Sequence, residues 1–163
     1  MPRRGQELES YINSLLLKLE AIGIHGHKNN PLRTMQGITL QGEPFDYEVF
    51  MPDCIHLFDA KECSDRNCKW NISGFYDTGS RLYKQLNALY WAKYTHTSHL
   101  WRFIEAYFLV WFKHSKDNQF VMFNVLTVNH TVCEGKKYLT PEYGEAWTLG
   151  SEIEELLRKG RVK

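Results

Sequence analysis

The sequence predicts a mixed α/β domain with a central β-sheet, and three patterns lead there. An apolar stripe with three- and four-residue steps opens the chain. Two pairs of aromatic, β-branched runs follow, and a second helical stripe lies between the pairs. At 163 residues the chain is sized for one domain, taken as residues 1–163. Hydrophobic residues make up 43% and charged ones 24%, enough for a packed core, which excludes a chain disordered throughout.

The first helix is expected over residues 6–22, where Leu8, Tyr11, Ile12, Leu15, Leu19 and Ile22 share a face and Gly23 supplies the stop. Residues 25–44 are rich in Asn, Gly, Pro and Gln and leave room for at most one short strand. Residues 45–50 and 54–62 read as strands joined by a turn at Met51-Pro52-Asp53. Residues 64–79 read as a polar, turn-rich loop. A second helix is expected over residues 80–93, with Leu82, Leu86, Leu89 and Tyr90 on one side. Residues 106–112 and 120–128 are the remaining strands, with 113–119 as their hairpin loop. Ser151-Glu152-Ile153-Glu154 has the form of a capping box, so a short helix should close the chain.

Several function classes recede on composition. No apolar run reaches the eighteen or so residues of a membrane span. Met1-Pro2-Arg3-Arg4-Gly5 leads into a charged amphipathic segment without the apolar centre of a signal peptide, so a cytoplasmic protein is expected. The net charge of +1 does not decide for or against a nucleic-acid partner, because opposite charges are segregated along the chain. Basic residues gather at both ends and at Lys61, Arg66, Lys69, Arg81 and Lys84. Acidic residues are dense over 43–59 and 152–155.

Cys63 and Cys68 have a spacing that suits a shared zinc ion, with Cys54 or His56 to complete the set. A matching second pair is missing, and free structural thiols are the plainer reading of all four cysteines, Cys133 included. His96 and His99 have metal-like spacing without an adjacent acidic ligand. Asn71 and Asn129 begin glycosylation sequons that a cytoplasmic chain leaves unmodified. Trp101, Trp111 and Phe112 read as core rather than as platforms for bases.

The chemistry lies in the second strand, Cys-Ile-His-Leu-Phe-Asp-Ala-Lys-Glu-Cys. Alternation puts Ile55, Leu57, Asp59 and Lys61 on one face and His56, Phe58 and Ala60 on the other. An isolated Asp-x-Lys is most often an exposed pair on an edge strand. Here the flanks are apolar, and burying both ions costs several kcal/mol each, on the order of other interior charges, unless partners compensate. A hairpin about Met51-Pro52-Asp53 would bring Asp46 beside Asp59. Two adjacent carboxylates repel, and a divalent cation relieves the repulsion. Mg²⁺, or Mn²⁺ in its place, prefers oxygen ligands and would add water and the Ala60 carbonyl. With Lys61 to hold or activate a water, these are the parts needed to hydrolyse a phosphodiester. Gln85 shares a helix face with Leu82 and Leu89, so its amide should find a hydrogen-bond partner. Glu9, beside the first apolar stripe, reads by itself as a surface residue.

Asp46-Tyr47 followed by Phe58-Asp59-Ala60-Lys61-Glu62 resembles the core of the PD-(D/E)XK nucleases. More narrowly it is similar to the RecU-type Holliday junction resolvases. The opening Gly5-Gln6-Glu7-Leu8-Glu9-Ser10-Tyr11-Ile12, the pair His27-Lys28 and Gln85 fall where that family carries similar residues, so the resemblance covers roughly residues 5–89. It implies a restriction-endonuclease-like core, a central mixed sheet flanked by helices. It further implies a homodimer that binds four-way DNA junctions and nicks opposed strands with Mg²⁺, in recombination or repair. Under it Asp46 and Asp59 are metal ligands, Lys61 is the catalytic lysine and Glu9 is an assisting acid. Gln85 becomes a supporting or DNA-contacting group and Lys28 a DNA-side cation. Asp59 stands where the family usually has glutamate. Residues 29–43 are shorter than the family's stalk, which bears on junction selectivity more than on cleavage. The loop over 64–79 is longer and offers Arg66, Lys69 and Trp70 to DNA. Other readings are a superfamily endonuclease cutting duplex or single strands without junction selectivity, a non-catalytic DNA-binding protein, and a zinc-binding adaptor using the cysteines.

Overall fold

A computed structural model of the chain describes residues 6–28, 32–35, 38–41, 46–52, 54–95, 103–116 and 119–160. Helix α1 spans Gln6–Ala21 and buries Leu8, Ile12, Leu15 and Leu19 of the predicted stripe, whereas Tyr11 and Ile22 are exposed and Ile22 lies past the helix end. Gly23 ends it in the left-handed region at φ 83°, a conformation that favours glycine, while the Ile22 and Gly23 amides donate back to Leu19 and Glu20.

The stretch expected to hold at most one strand holds three: β1 (Gly26–Lys28), β2 (Leu32–Met35) and β3 (Ile38–Gln41). β2 and β3 pair only with each other, whereas β1 joins the main sheet. β1, Gly-His-Lys, has no apolar face to announce it and pairs through the backbone of its neighbour, while β2 and β3 are only four residues each. β4 (Tyr47–Phe50) and β5 (Cys54–Cys63) form the expected hairpin, with Tyr47 opposite Phe58.

The main sheet has the order β1-β4-β5-β7-β8-β10, with β7 over Phe103–Phe112, β8 over Phe120–Asn124 and β10 over Glu145–Ala146. β5 and β7 are parallel and the other pairs antiparallel, so the sheet is mixed, as expected. One face packs under α2 (Arg81–Thr95) and α3 (Val125–Cys133), with Ile55, Leu57, Phe108 and Phe123 meeting Leu86, Leu89 and Val128. The other packs under α1 and α4 (Thr148–Gly160), with Phe58, Tyr107 and Leu109 meeting Ile12, Leu149 and Ile153. β5 is thus buried on both faces, as a central strand with helices on either side must be. No helix among the described residues is long and apolar enough to cross a membrane.

Four expectations need correction. The strand predicted over 120–128 ends at Asn124, whose side chain caps α3 by accepting from the Leu126 amide at 2.9 Å. Val125, Val128 and Thr131 bury one helical face; their β-branched composition had disguised the helical spacing. α4 starts at Thr148, so Ser151 lies inside the helix and its capping box does not form. Tyr90 is exposed while Leu86 and Leu89 are buried. The 64–79 loop contains β6 (Trp70–Asn71), paired with β9 (Tyr138–Leu139), and a 3-10 turn at Ser73–Tyr76. Trp70 is therefore largely core, stacked near Phe123 at 5.6 Å, and what remains exposed of it lines a groove at one end of the sheet. His96, His99 and Trp101 lie outside the described residues.

Candidate active site

An unequal pairing of strands opens a groove at one end of the sheet. β4 accompanies β5 only as far as Tyr47↔Phe58, so residues 59–63 of β5 run past it, laddered to β7 on the far side. Lys28, at the end of β1, pairs with Tyr47 and reaches the same end. α2 crosses the other face, and Ser80 opens it by accepting from the Tyr83 amide at 3.1 Å.

Asp46 and Asp59 are tied directly. The Asp46 amide donates to Asp59 Oδ1 at 2.9 Å, and the Ala60 amide donates to Asp46 Oδ2 at 3.3 Å. Gln85 bridges the other two charges: Lys61 Nζ donates to its Oε1 at 2.8 Å and its Nε2 donates to Asp59 Oδ1 at 3.1 Å. Lysine only donates and a carboxylate only accepts, so the amide has one orientation that satisfies both. Gln85 is 2% exposed, and the partner expected of a polar residue on that helix face is this pair.

Asp59 is fully buried, and among the described residues its Oδ2 has no hydrogen-bond partner. Burial pushes the Asp59 carboxyl well above the ordinary carboxylate range, and the Asp46 charge adds to this while Lys61 opposes it. Burial likewise lowers the Lys61 ammonium, against the pull of Asp59 and Asp46.

Two carboxylates in contact, one with an unsatisfied oxygen, are a donor set that fits a hard divalent cation. Among the described residues no three His, Cys, Asp or Glu side chains converge on one point. A cation held here would therefore complete its shell with backbone carbonyl, such as that of Ala60, and water, as Mg²⁺ commonly does.

The groove has a volume of about 850 Å³. Its lining includes Glu9, Lys28, Asp46, Lys61, Lys69 and Tyr138. Asp59 lies beneath the lining rather than in it. Glu9 pairs with Lys28 at 3.2 Å, so the first helix does deliver its carboxylate to the groove. Arg66 is exposed but does not line it.

Among the lining residues not singled out for the site, Arg81 and Tyr138 matter most. Arg81 places Nη2 3.7 Å from Asp46 Oδ1, and its position four residues before Gln85, one helical turn, was the available signal. Tyr138 reaches the groove only because β9 pairs with β6, which nothing local in the sequence announces.

The zinc set fails on geometry. Cys63 ends β5 while Cys54 begins it and His56 lies two residues on. At strand rise Cys54 is roughly 30 Å and His56 roughly 23 Å from Cys63, far beyond a shared ion. All four thiols are free, with Cys63 buried and burial raising its pKa. No protein-family model matches the chain, and no curated protein is significantly similar to it.

Proposed function

We propose that the chain is a divalent-metal-dependent DNA endonuclease of the PD-(D/E)XK type, with a restriction-endonuclease-like core, acting on branched DNA as a Holliday junction resolvase. The observation that carries the reading is the buried Asp59 carboxylate, tied to Asp46, bridged to Lys61 by Gln85, and set just beneath an open groove that Asp46 and Lys61 line. Such charges are costly in a core unless a ligand uses them.

Asp46 and Asp59 would hold the cation, Mg²⁺ or Mn²⁺, assisted by the Ala60 carbonyl. Bound there, it supplies the positive charge that offsets the charge building on a phosphodiester under attack. Lys61, fixed by Gln85, orients the attacking water toward the phosphorus and stabilises the extra negative charge. Its burial lowers the cost of giving up a proton. Arg81 and Lys28, at the mouth, neutralise phosphates on either side of the cut, and Glu9 keeps Lys28 in place. Junction selectivity rests on the resemblance to the resolvases, whose stalk is longer than the stretch that holds the β2–β3 ribbon here. The alternative, a superfamily nuclease without junction selectivity, keeps the same site.

The deciding experiment incubates the purified chain with Mg²⁺ and either a synthetic four-way junction or a linear duplex of the same sequence. Faster nicking of the junction is expected, and chelation should stop it. Asp59→Asn should abolish cleavage while leaving junction binding, because it removes a ligand without adding bulk. Equal rates on both substrates would favour the alternative, and normal cutting by Asp59→Asn would remove the site assignment.

A further inference from the structure

Tyr138 lines the groove and also a second, smaller cavity of about 310 Å³, shared with Lys136, Lys137 and Tyr143. The rings of Tyr138 and Tyr143 are 47% and 57% exposed. Each has an ammonium beside it: Lys69 Nζ lies 5.8 Å from the Tyr138 centroid and Lys136 Nζ lies 5.3 Å from that of Tyr143. The support beneath them is firm. Trp70 and Leu139 of the β6–β9 ribbon are buried in the core, the Ile72 amide donates to the Lys137 carbonyl at 2.9 Å, and the Tyr76 hydroxyl donates to the Lys136 carbonyl at 2.7 Å.

Tyr138 on the β6–β9 ribbon and Tyr143 in the 3-10 turn at Pro141–Tyr143 set two exposed rings beside lysines and next to the groove, which matches what an unpaired strand needs. Bases stack on aromatic faces without regard to sequence, and ammonium groups take the phosphates between them. A duplex presents no free base faces to such rings. Glu134 shares Lys136 at 3.2 Å and Glu142 adjoins Tyr143, so Lys69 and Lys137 carry most of the positive charge. A base stacking on Tyr138 would displace the Lys69 contact and free that ammonium for the adjoining phosphate, exchanging a cation–π contact for a charge-assisted bond.

We propose that Tyr138 and Tyr143, with Lys69, Lys136 and Lys137, form a track for an unpaired DNA strand leaving the groove beside the cleaved phosphate. The substrate class is then DNA with a single-stranded arm next to the cut, such as a flap or the opened centre of a branch. This rests on the nuclease reading for its placement. It is tested by binding, so the two can fail separately.

The test measures the affinity of the full chain, by fluorescence anisotropy in Ca²⁺ buffer, for a blunt duplex and for the same duplex with an oligothymidine arm at its 5′ or 3′ end. The arm should tighten binding roughly tenfold or more, the size of one or two base-on-aromatic stacks. In the double variant Tyr138→Ala, Tyr143→Ala the ratio of armed to blunt affinity should fall to about one, whereas Tyr138→Phe, Tyr143→Phe should preserve it. Melting curves for both variants report whether the fold is kept, and half-exposed rings should leave it intact. A ratio near one for the unaltered chain with either arm overturns the track. So does an arm preference that survives the alanine variant. Cleavage in Mg²⁺ is read in parallel. Arm preference without cleavage would remove the nuclease reading and leave the track, while cleavage without arm preference would remove the track alone.

Discussion

Gln85 holds the site together at the residue scale. Its amide hydrogen-bonds both Lys61 and Asp59, at 2.8 and 3.1 Å, and it does so from α2, the helix packed on the sheet face to which both side chains point. Replacing it with leucine keeps the volume but leaves an ammonium and a carboxylate oxygen each short of a partner. Gln85→Leu is therefore expected to lower kcat by roughly 10- to 100-fold, as other losses of supporting contacts do, with KM little changed. Stability should fall by about 1–3 kcal/mol. Steady-state cleavage and thermal melts check both effects, and an unchanged kcat would show that Lys61 needs no positioning. Much of this residue pattern was legible beforehand: strand alternation put Asp59 and Lys61 on one face, and helical spacing put Gln85 among leucines. The bonds between them, and the reach of Arg81 to Asp46, were not legible, because local periodicity gives a direction and not a partner.

At the scale of elements, β5 carries polar groups to both sides of the sheet. Opposite the groove, His56 Nδ1 lies 3.0 Å from the Tyr107 hydroxyl of β7, which accepts from Trp147 Nε1 at 3.1 Å just before α4. The indole only donates, which leaves the tyrosine proton free for His56 Nδ1, and a neutral ring with its Nε2 toward Glu152 at 3.9 Å fits both contacts. Burial pushes the His56 imidazole down to about 4, from an ordinary value near 6.5. The unfolded chain takes up this proton below about pH 6.5, while the folded chain does so only near pH 4. The His56 contribution is therefore intact above about pH 6.5, declines as pH falls toward 4 and is level below that. The loss is up to about 3 kcal/mol. Urea denaturation at a series of pH values reads it, and His56→Gln should flatten the slope in that window. A slope unchanged by His56→Gln would mean that carboxylates alone set the acid limit.

For the whole molecule, the groove and the ribbon beside it define one working end of the sheet. Among the described residues Asp46 and Asp59 form one such carboxylate pair there, so on the proposed junction reading cutting two opposed strands calls for two chains related by symmetry. The homodimer proposed on that ground has a direct readout. A supercoiled plasmid with an extruded cruciform should be converted by the chain and Mg²⁺ mainly to linear DNA, because paired nicks fall within one encounter. Accumulation of nicked circles instead would mean one site acting alone, and with it the less selective nuclease. Sedimentation of the chain with and without junction DNA would show whether the second copy is present beforehand or recruited.

The sequence by itself determined the α/β class, the α1 stripe, the β4–β5 hairpin and the proximity of Asp46 to Asp59, because each depends on periods and turns within a few residues. It could not determine that residues 125–133 coil into α3, since their β-branched composition favours a strand and only the cap at Asn124 and burial against the sheet decide otherwise. Nor could it place Tyr138 beside the groove, or put Cys54 too far from Cys63 to share a metal with it. Those depend on which strands pair and how far each extends. Pairing is set by the burial of whole faces at once, and that is a property of the assembled sheet.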